Sequence, residues 1–338
     1  LTAATLVAVG LAGVGLLSPA WRKVWTYDRN GEVFITQQRV YDATDGRDID
    51  ALIRIANERG DGRIYAGTRA NWGSTYKVGY VPVLHMTSHN DADGLGFTFR
   101  TVQSLTTDIE ASFDDNNLAQ YEMLNVKYYL APSDRKPTVT YTEIATIGRS
   151  TLYEIPTTGY FQVVDRIGSV AADRKNINET TNPFRNSDLA LRSVYPGVAF
   201  DGASAPANTV AESPGTSPGR VLTQGNERDN GRFSARVQAT RSAVVVLKVT
   251  YDPRWEVRVD GKRVKAVMMA PSIVGVDVGP GEHTVEFTYR SYPHYWLLAV
   301  LAALTLIALG AWPHRERLLA TLRDRLSNGR GLRRDTPH

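Results

Sequence analysis

The chain has 338 residues, a formal net charge of +4 and a mean hydropathy of −0.27, with basic and acidic residues intermixed over most of its length. That charge is too mild to suggest a nucleic-acid binder. The absence of cysteine excludes disulfides, zinc thiolates, iron–sulfur clusters and cysteine nucleophiles. A chain of this length holds about two domains.

Leu1 to Ala20, LTAATLVAVGLAGVGLLSPA, is an uncharged run. It reads as the tail of a transmembrane helix whose beginning is cut off. The competing reading is a secretory signal peptide with Ser18-Pro19-Ala20 as its cleavage site, although a basic leader and an initiator Met are lacking. EVFITQQRV (Glu32–Val40) is strand-like. DIDALIRIANERG predicts a helix with Asp48 as N-cap, Leu52, Ile53 and Ala56 on one face, and Gly60 as the stop. GRIYAG (Gly62–Gly67) reads as a short buried strand. A second helix is expected from about Asp115 to Leu124, capped in the DDNN cluster, followed by the strand NVKYYLA and the pair TEIATIG and STLYEI. Strand–helix–strand order suggests a small α/β layer over 21–165.

From about Asp165 the helix signals vanish. Asp201 to Gly231 is rich in Pro, Gly, Ser and Asn and reads as loop with at most a short strand at RVLTQ. Then RFSARVQA, AVVVLKVTY, WEVRVD, KRVKAVM, SIVGVDV and HTVEFTY follow with turn residues between them, which predicts an antiparallel β-sandwich over 166–294. A two-residue turn at Asp260-Gly261 sets Val257 opposite Val264 and Trp255 opposite Ala266, with Glu256 meeting Lys265 on the other face. A turn at Gly279–Glu282 sets Val276 opposite Val285 and Val274 opposite Phe287. Trp255 reads as a core anchor.

Tyr295 to Trp312, YWLLAVLAALTLIALGAW, is 18 residues without a charge, edged by Tyr295, Trp296 and Trp312. It predicts a short transmembrane helix, a buried core helix being the alternative, since roughly 20 residues cross a hydrocarbon core. The following 313–338 carries seven Arg against three acidic residues, as a cytoplasmic tail does. Residues 21–294 are then extracytoplasmic.

YDPRWEVRVDGKRVKAV and VDVGPGEHTVEFTYRSYPHYW, ahead of an apolar helix, resemble the C-terminal end of YfhO-like bacterial membrane proteins of the GT-C glycosyltransferase class. Trp255, Asp260, Gly261, Gly281, His283, Phe287 and Tyr289 stand in the family's pattern, while Asp252-Pro253-Arg254 occupies positions where Gly often precedes the Trp. MLNVKYYLAP (Met123–Pro132) and LYEIP (Leu152–Pro156) are similar to two further family segments, so the resemblance spans roughly 121–312. It implies a membrane enzyme moving a sugar from a polyprenyl-phosphate carrier to a cell-envelope acceptor. It also implies an acidic catalytic residue on a first extracytoplasmic loop that this chain does not contain. No catalytic residue is therefore assigned.

Arg69, Trp72, Tyr76, Lys77 and Tyr80 gather aromatic faces that stack on sugars and cations that pair with phosphates, and are the candidates for substrate or acceptor contact. Core packing accounts for the same residues. His85, His89, Asp91 and Asp93 are capable metal ligands, but their spacing matches neither an EF-hand nor a zinc pattern, so no metal is assigned. The expectation is an α+β chain: a small α/β layer, then an antiparallel β-sandwich, flanked by transmembrane helices at 1–20 and 295–312. The partners implied are membrane lipid, a polyprenyl-phosphate sugar donor and an envelope glycan acceptor. No cofactor is expected in this chain, and a divalent metal is compatible with the parent enzyme. The alternative is a non-catalytic, membrane-anchored binding or structural module of the envelope.

Overall fold

In the computed structural model, which describes residues 3–96, 105–203 and 215–312, the chain opens with one long helix, α1 (Ala3–Tyr41). A π-type turn, Asp42–Gly46, carries it without a break into α2 (Arg47–Arg59). The strand expected over Glu32–Val40 is thus helical. Phe34, Gln37, Gln38 and Tyr41 recur at helical spacing and meet one loop. The Tyr80 hydroxyl donates to Gln37 Oε1 (2.5 Å), and the Tyr80 N–H donates to Gln38 Oε1 (2.9 Å). The Phe34 and Tyr41 rings stand edge-on to Tyr80. Asp48 caps nothing, because no helix N-terminus is open there. Gly60 does end the helix, at φ 63° with its N–H on the Ala56 carbonyl.

The α/β layer follows as β1 (Arg63–Tyr65), β2 (Lys77–Val78), β3 (Val81–Pro82), α3 (Val83–His89), β4 (Gly94–Leu95), α4 (Thr107–Ala111), α5 (Leu118–Leu124), β5 (Val126–Pro132), β6 (Thr142–Ile147) and β7 (Ser150–Glu154). Asn117 caps α5 through the Ala119 N–H, close to the expected DDNN cap. Five strands order as β4-β1-β5-β7-β6, parallel from β4 to β5 and antiparallel beyond. Both faces are covered, as the near-continuous apolar run of β5 requires. Tyr128 and Leu130 pack against α2 and α3, and Tyr129 and Ala131 against the other side.

The remaining elements are β8 (Phe161–Ala172), α6 (Ile177–Thr180), α7 (Asn182–Arg185), β9 (Val194–Phe200), β10 (Gly219–Glu227), β11 (Arg232–Ala239), β12 (Ala243–Thr250), β13 (Trp255–Val259), β14 (Lys262–Val264), β15 (Val267–Met269), β16 (Ile273–Val278) and β17 (Gly281–Tyr289). They make an antiparallel sheet, β10-β11-β17-β13-β14, facing a closed barrel, β12-β16-β15-β9-β8, whose β8–β9 pair is parallel. The two short helices α6 and α7 break the all-strand expectation; they bury Ile177 and Phe184. Within the unit Leu1–Tyr289, β12 links the layers by period-2 alternation. Ala243, Val245 and Leu247 face the second sheet, while Val244 and Val246 face the α/β layer.

The Asp260-Gly261 hairpin forms as expected, with both residues at positive φ and Val257 opposite Val264. The ladder stops at Val264, so Trp255 has no partner in Ala266 and pairs with Tyr289 instead. Glu256 lies opposite Thr288 rather than Lys265 and forms ion pairs with Arg258 and Arg263. The Gly279–Glu282 turn does not close a hairpin. It carries the chain from the barrel to the facing sheet: β16 pairs with β12 and β15, and β17 with β11 and β13. Val274, Val276, Val285 and Phe287 still share one core, as their alternation requires, but across the sheets rather than along a ladder.

In the unit Arg290–His338, α8 (Tyr295–Ala311) is the apolar helix. Among the described residues no helix is long and apolar enough to cross a membrane. The Arg-rich tail, 313–338, lies outside the described residues.

Candidate functional site

A cleft of about 760 Å³ opens between the first strand of the α/β layer and the Tyr251–Trp255 turn that leads from β12 to β13. Its floor is ionic. Arg63 on β1 is buried, with Nε 3.2 Å from Asp93 Oδ2 and Nη1 donating to the Leu124 carbonyl at 2.6 Å. Asp93 also accepts the Tyr160 hydroxyl at 2.7 Å. Burial works against the Arg63 cation, but Asp93, Tyr160 and Glu110 together outweigh it and raise the guanidinium pKa. Burial pushes the Tyr160 phenol well up.

The opposite wall is the Tyr251–Trp255 turn. Arg254 grips Asp252 with Nε on Oδ1 (3.0 Å) and Nη2 on Oδ2 (2.9 Å), a bidentate pair, and lies 4.9 Å from the centre of the Tyr289 ring. The hydrogen bond from Arg254 holds the Asp252 carboxyl below its usual range. Trp255 anchors the wall: its Nε1 donates to the Thr250 carbonyl at 3.0 Å, and its ring meets Tyr289 and Phe233. Arg228 reaches the Asp91 carbonyl at 3.4 Å, and Asp229 stands next to it on the rim.

Glu110, on α4, is half-buried and interacts with Arg63 and Asp93. Burial raises its pKa above the ordinary 4.5, with Arg63 opposing. A carboxyl that binds its proton more tightly folded than unfolded withdraws stability as pH rises from the unfolded value through the folded one. Glu110→Gln is therefore expected to raise the Tm at pH 7 by about 2–4 °C, the shift that ~1 kcal/mol gives a chain of this class. Near pH 4 the gain vanishes. Thermal melts of both proteins at the two pH values decide it; an equal shift at both rules out the buried-carboxyl cause.

The residues singled out from the sequence are dispersed. Trp72 and Tyr76 turn inward. The Trp72 Nε1 donates to Asp115 (2.9 Å), its ring packs on Tyr65 and Tyr129, and Arg135 covers it at 4.8 Å. Tyr76 is buried with its hydroxyl on Ser150. Lys77 is exposed on β2, Tyr80 is on the α1 contact, and Arg69 is 3.4 Å from the His85 ring. His85 and His89 lie on α3, Asp91 sits in the following turn at φ 53°, and Asp93 is committed to Arg63. Among the described residues no group of three or more His, Asp or Glu could hold a metal. Asp91 and Asp93 do line the cleft. Sequence reading passed over Arg63 and the Asp252–Arg254 pair. The signal for Arg63 was present: a lone arginine in a buried strand has to find an anion.

Residues 221–301 match the family model described as bacterial membrane protein YfhO. No curated protein and no solved structure matches. Over the matched segment the chain is YfhO-like. The segment runs from β10 into α8 and contains the Arg228–Asp229 rim and the Tyr251–Trp255 wall, while Arg63 and Asp93 lie before it.

Proposed function

We propose that this YfhO-like chain is the C-terminal extracytoplasmic part of a membrane glycosyltransferase, and that its cleft seats the envelope glycan onto which sugar arrives from a polyprenyl-phosphate carrier. The observation that carries this reading is the position of the family match, which takes in one wall of the cleft. Membrane attachment is supported by the family's description and by α8, an uncharged helix whose Tyr295, Trp296, Leu301 and Leu306 are exposed. In this reading 21–294 lies outside the cell membrane and the Arg-rich tail inside. Binding rather than chemistry suits the cleft. Arg254 holds the Asp252 carboxyl below its usual range, and an ion-paired carboxylate is a poor proton donor. The transfer step, with any divalent metal it uses, belongs to the parent enzyme.

The test is reconstitution of the parent enzyme in liposomes with a labelled polyprenyl-phosphate sugar and an envelope glycan acceptor. The parent is expected to transfer label and the isolated 338-residue chain to transfer none. Arg254→Ala in the parent should raise the acceptor KM about tenfold with kcat nearly unchanged, the mark of a lost ground-state contact. Transfer by the isolated chain, or none by the parent, overturns the reading and leaves a non-catalytic envelope module.

A further inference from the structure

Among the described residues, the charges that line the cleft cancel. Four arginines (63, 174, 228 and 254) face four aspartates (91, 93, 229 and 252). Arg63 pairs with Asp93 and Arg254 with Asp252 in the fold. A cleft that collects a polyanion carries excess positive charge, because desolvating each phosphate or carboxylate needs its own cation. This one offers no net field to such a chain. It offers donors and acceptors side by side: Arg228 next to Asp229 on an exposed rim, and the Tyr251 hydroxyl, which has no hydrogen-bond partner among the described residues. Between them stand half-buried aromatic surfaces, Phe200, Tyr251 and Tyr289. An adjacent carboxylate and guanidinium suit neighbouring hydroxyls, which donate to the one and accept from the other. An aromatic plane suits the apolar face of a sugar ring. The volume lies within the roughly 300–1,000 Å³ range of small-molecule sites, enough for a short oligosaccharide.

From this we infer that the cleft takes a neutral, hydroxyl-rich oligosaccharide and discriminates against a polyanionic chain. The inference rests on the reading of the cleft as the acceptor seat and narrows the class of acceptor.

The test is calorimetric titration of the full chain in detergent with two kinds of probe. One is a panel of neutral hexasaccharides (maltohexaose, cellohexaose, mannohexaose and arabinohexaose). The other is poly(glycerol phosphate) of matched length. At least one neutral hexasaccharide is expected to bind at least tenfold more tightly than the polyanion, with less than a twofold change in affinity between 50 and 500 mM NaCl, because no net charge is being screened. Tyr251→Ala should weaken that binding about tenfold. Since Tyr251 also touches the core, Arg228→Ala on the exposed rim is the second variant and should weaken it at least threefold with an unchanged melting curve. Tighter binding of the polyanion, a steep loss of affinity with salt, binding by none of the neutral probes, or binding indifferent to both variants overturns the inference. The outcome is separable from the transfer assay. Neutral-glycan binding with no transfer by the parent removes the glycosyltransferase reading and leaves the cleft assigned. Transfer with a polyanion-selective cleft does the reverse.

Discussion

Lys248→Met alone is expected to cost the fold about 3–5 kcal/mol, and Glu122→Gln alone a similar amount, while the two together cost much less than their sum. Lys248 follows Val244 and Val246 on the face of β12 that meets the α/β layer, and its side chain is wholly buried. Its Nζ donates to Glu122 Oε1 at 2.6 Å and to Thr158 Oγ at 2.8 Å. Glu122 in turn accepts the Thr158 N–H (3.0 Å) and hydroxyl (2.5 Å). Burial lowers the lysine pKa, with Glu122 opposing. Either single change strands a charge away from water; the double change removes both. The same short helix that presents Glu122 gives its Leu124 carbonyl to Arg63 at the floor of the cleft, so each single variant should also weaken ligand binding there. Urea unfolding of the four proteins of the cycle measures the coupling. Single costs below about 1 kcal/mol, or simple additivity, would show that the pair does not tie the barrel to α5.

A second large loss is expected at two glycines that touch each other. A Cβ on Gly67 would lie 2.5 Å from both Cα and N of Gly73, and one on Gly73 would lie 2.6 Å from the carbonyl carbon of Gly67. The obstacles are backbone and cannot rotate away. Gly67 also sits at φ +79°, so Gly67→Ala combines about 1–2 kcal/mol for the left-handed backbone with about 1–3 kcal/mol of overpacking. Gly73→Ala carries the second cost only and separates the two. The contact closes the corner in which Asn71 Oδ1 accepts the Thr68 and Gly73 N–H groups while Asn71 Nδ2 donates to the Tyr65 hydroxyl. That corner holds Trp72 against the core. Loss of near-ultraviolet ellipticity together with a lower unfolding midpoint is the expected signature; an alanine tolerated at both positions would mean that the corner opens freely.

The strands of the C-terminal half were legible because side-chain period is a local property. The alternation in RFSARVQA gives the buried row Phe233, Ala235, Val237 and Ala239, and Asp260-Gly261 fixes its own hairpin through backbone that few other residues adopt. Alternation also put Val274, Val276, Val285 and Phe287 in one core. It did not say that β16 and β17 belong to different sheets, because a strand pointing its apolar face inward reads the same whether its neighbour is hydrogen-bonded beside it or packed opposite. Glu32–Val40 went the other way: β-branched residues suggest a strand, yet helical continuity with α2 and the Gln37, Gln38 and Tyr80 contacts hold it in α1.

By itself, then, the sequence determined where the strands from β11 onward run, which way their side chains face, where one tight turn must lie and that an apolar helix follows the last strand. The tertiary structure alone decided that Arg63, Asp93 and Arg254, separated by up to 191 positions in the chain, share one cleft, that Trp72 packs against the core and Tyr76 lies within it, and that Lys248 answers Glu122. The reason is physical. Periodicity and turn chemistry act between residues a few bonds apart, whereas a buried charge finds its counterion, and a cleft its walls, only when packing brings distant segments together.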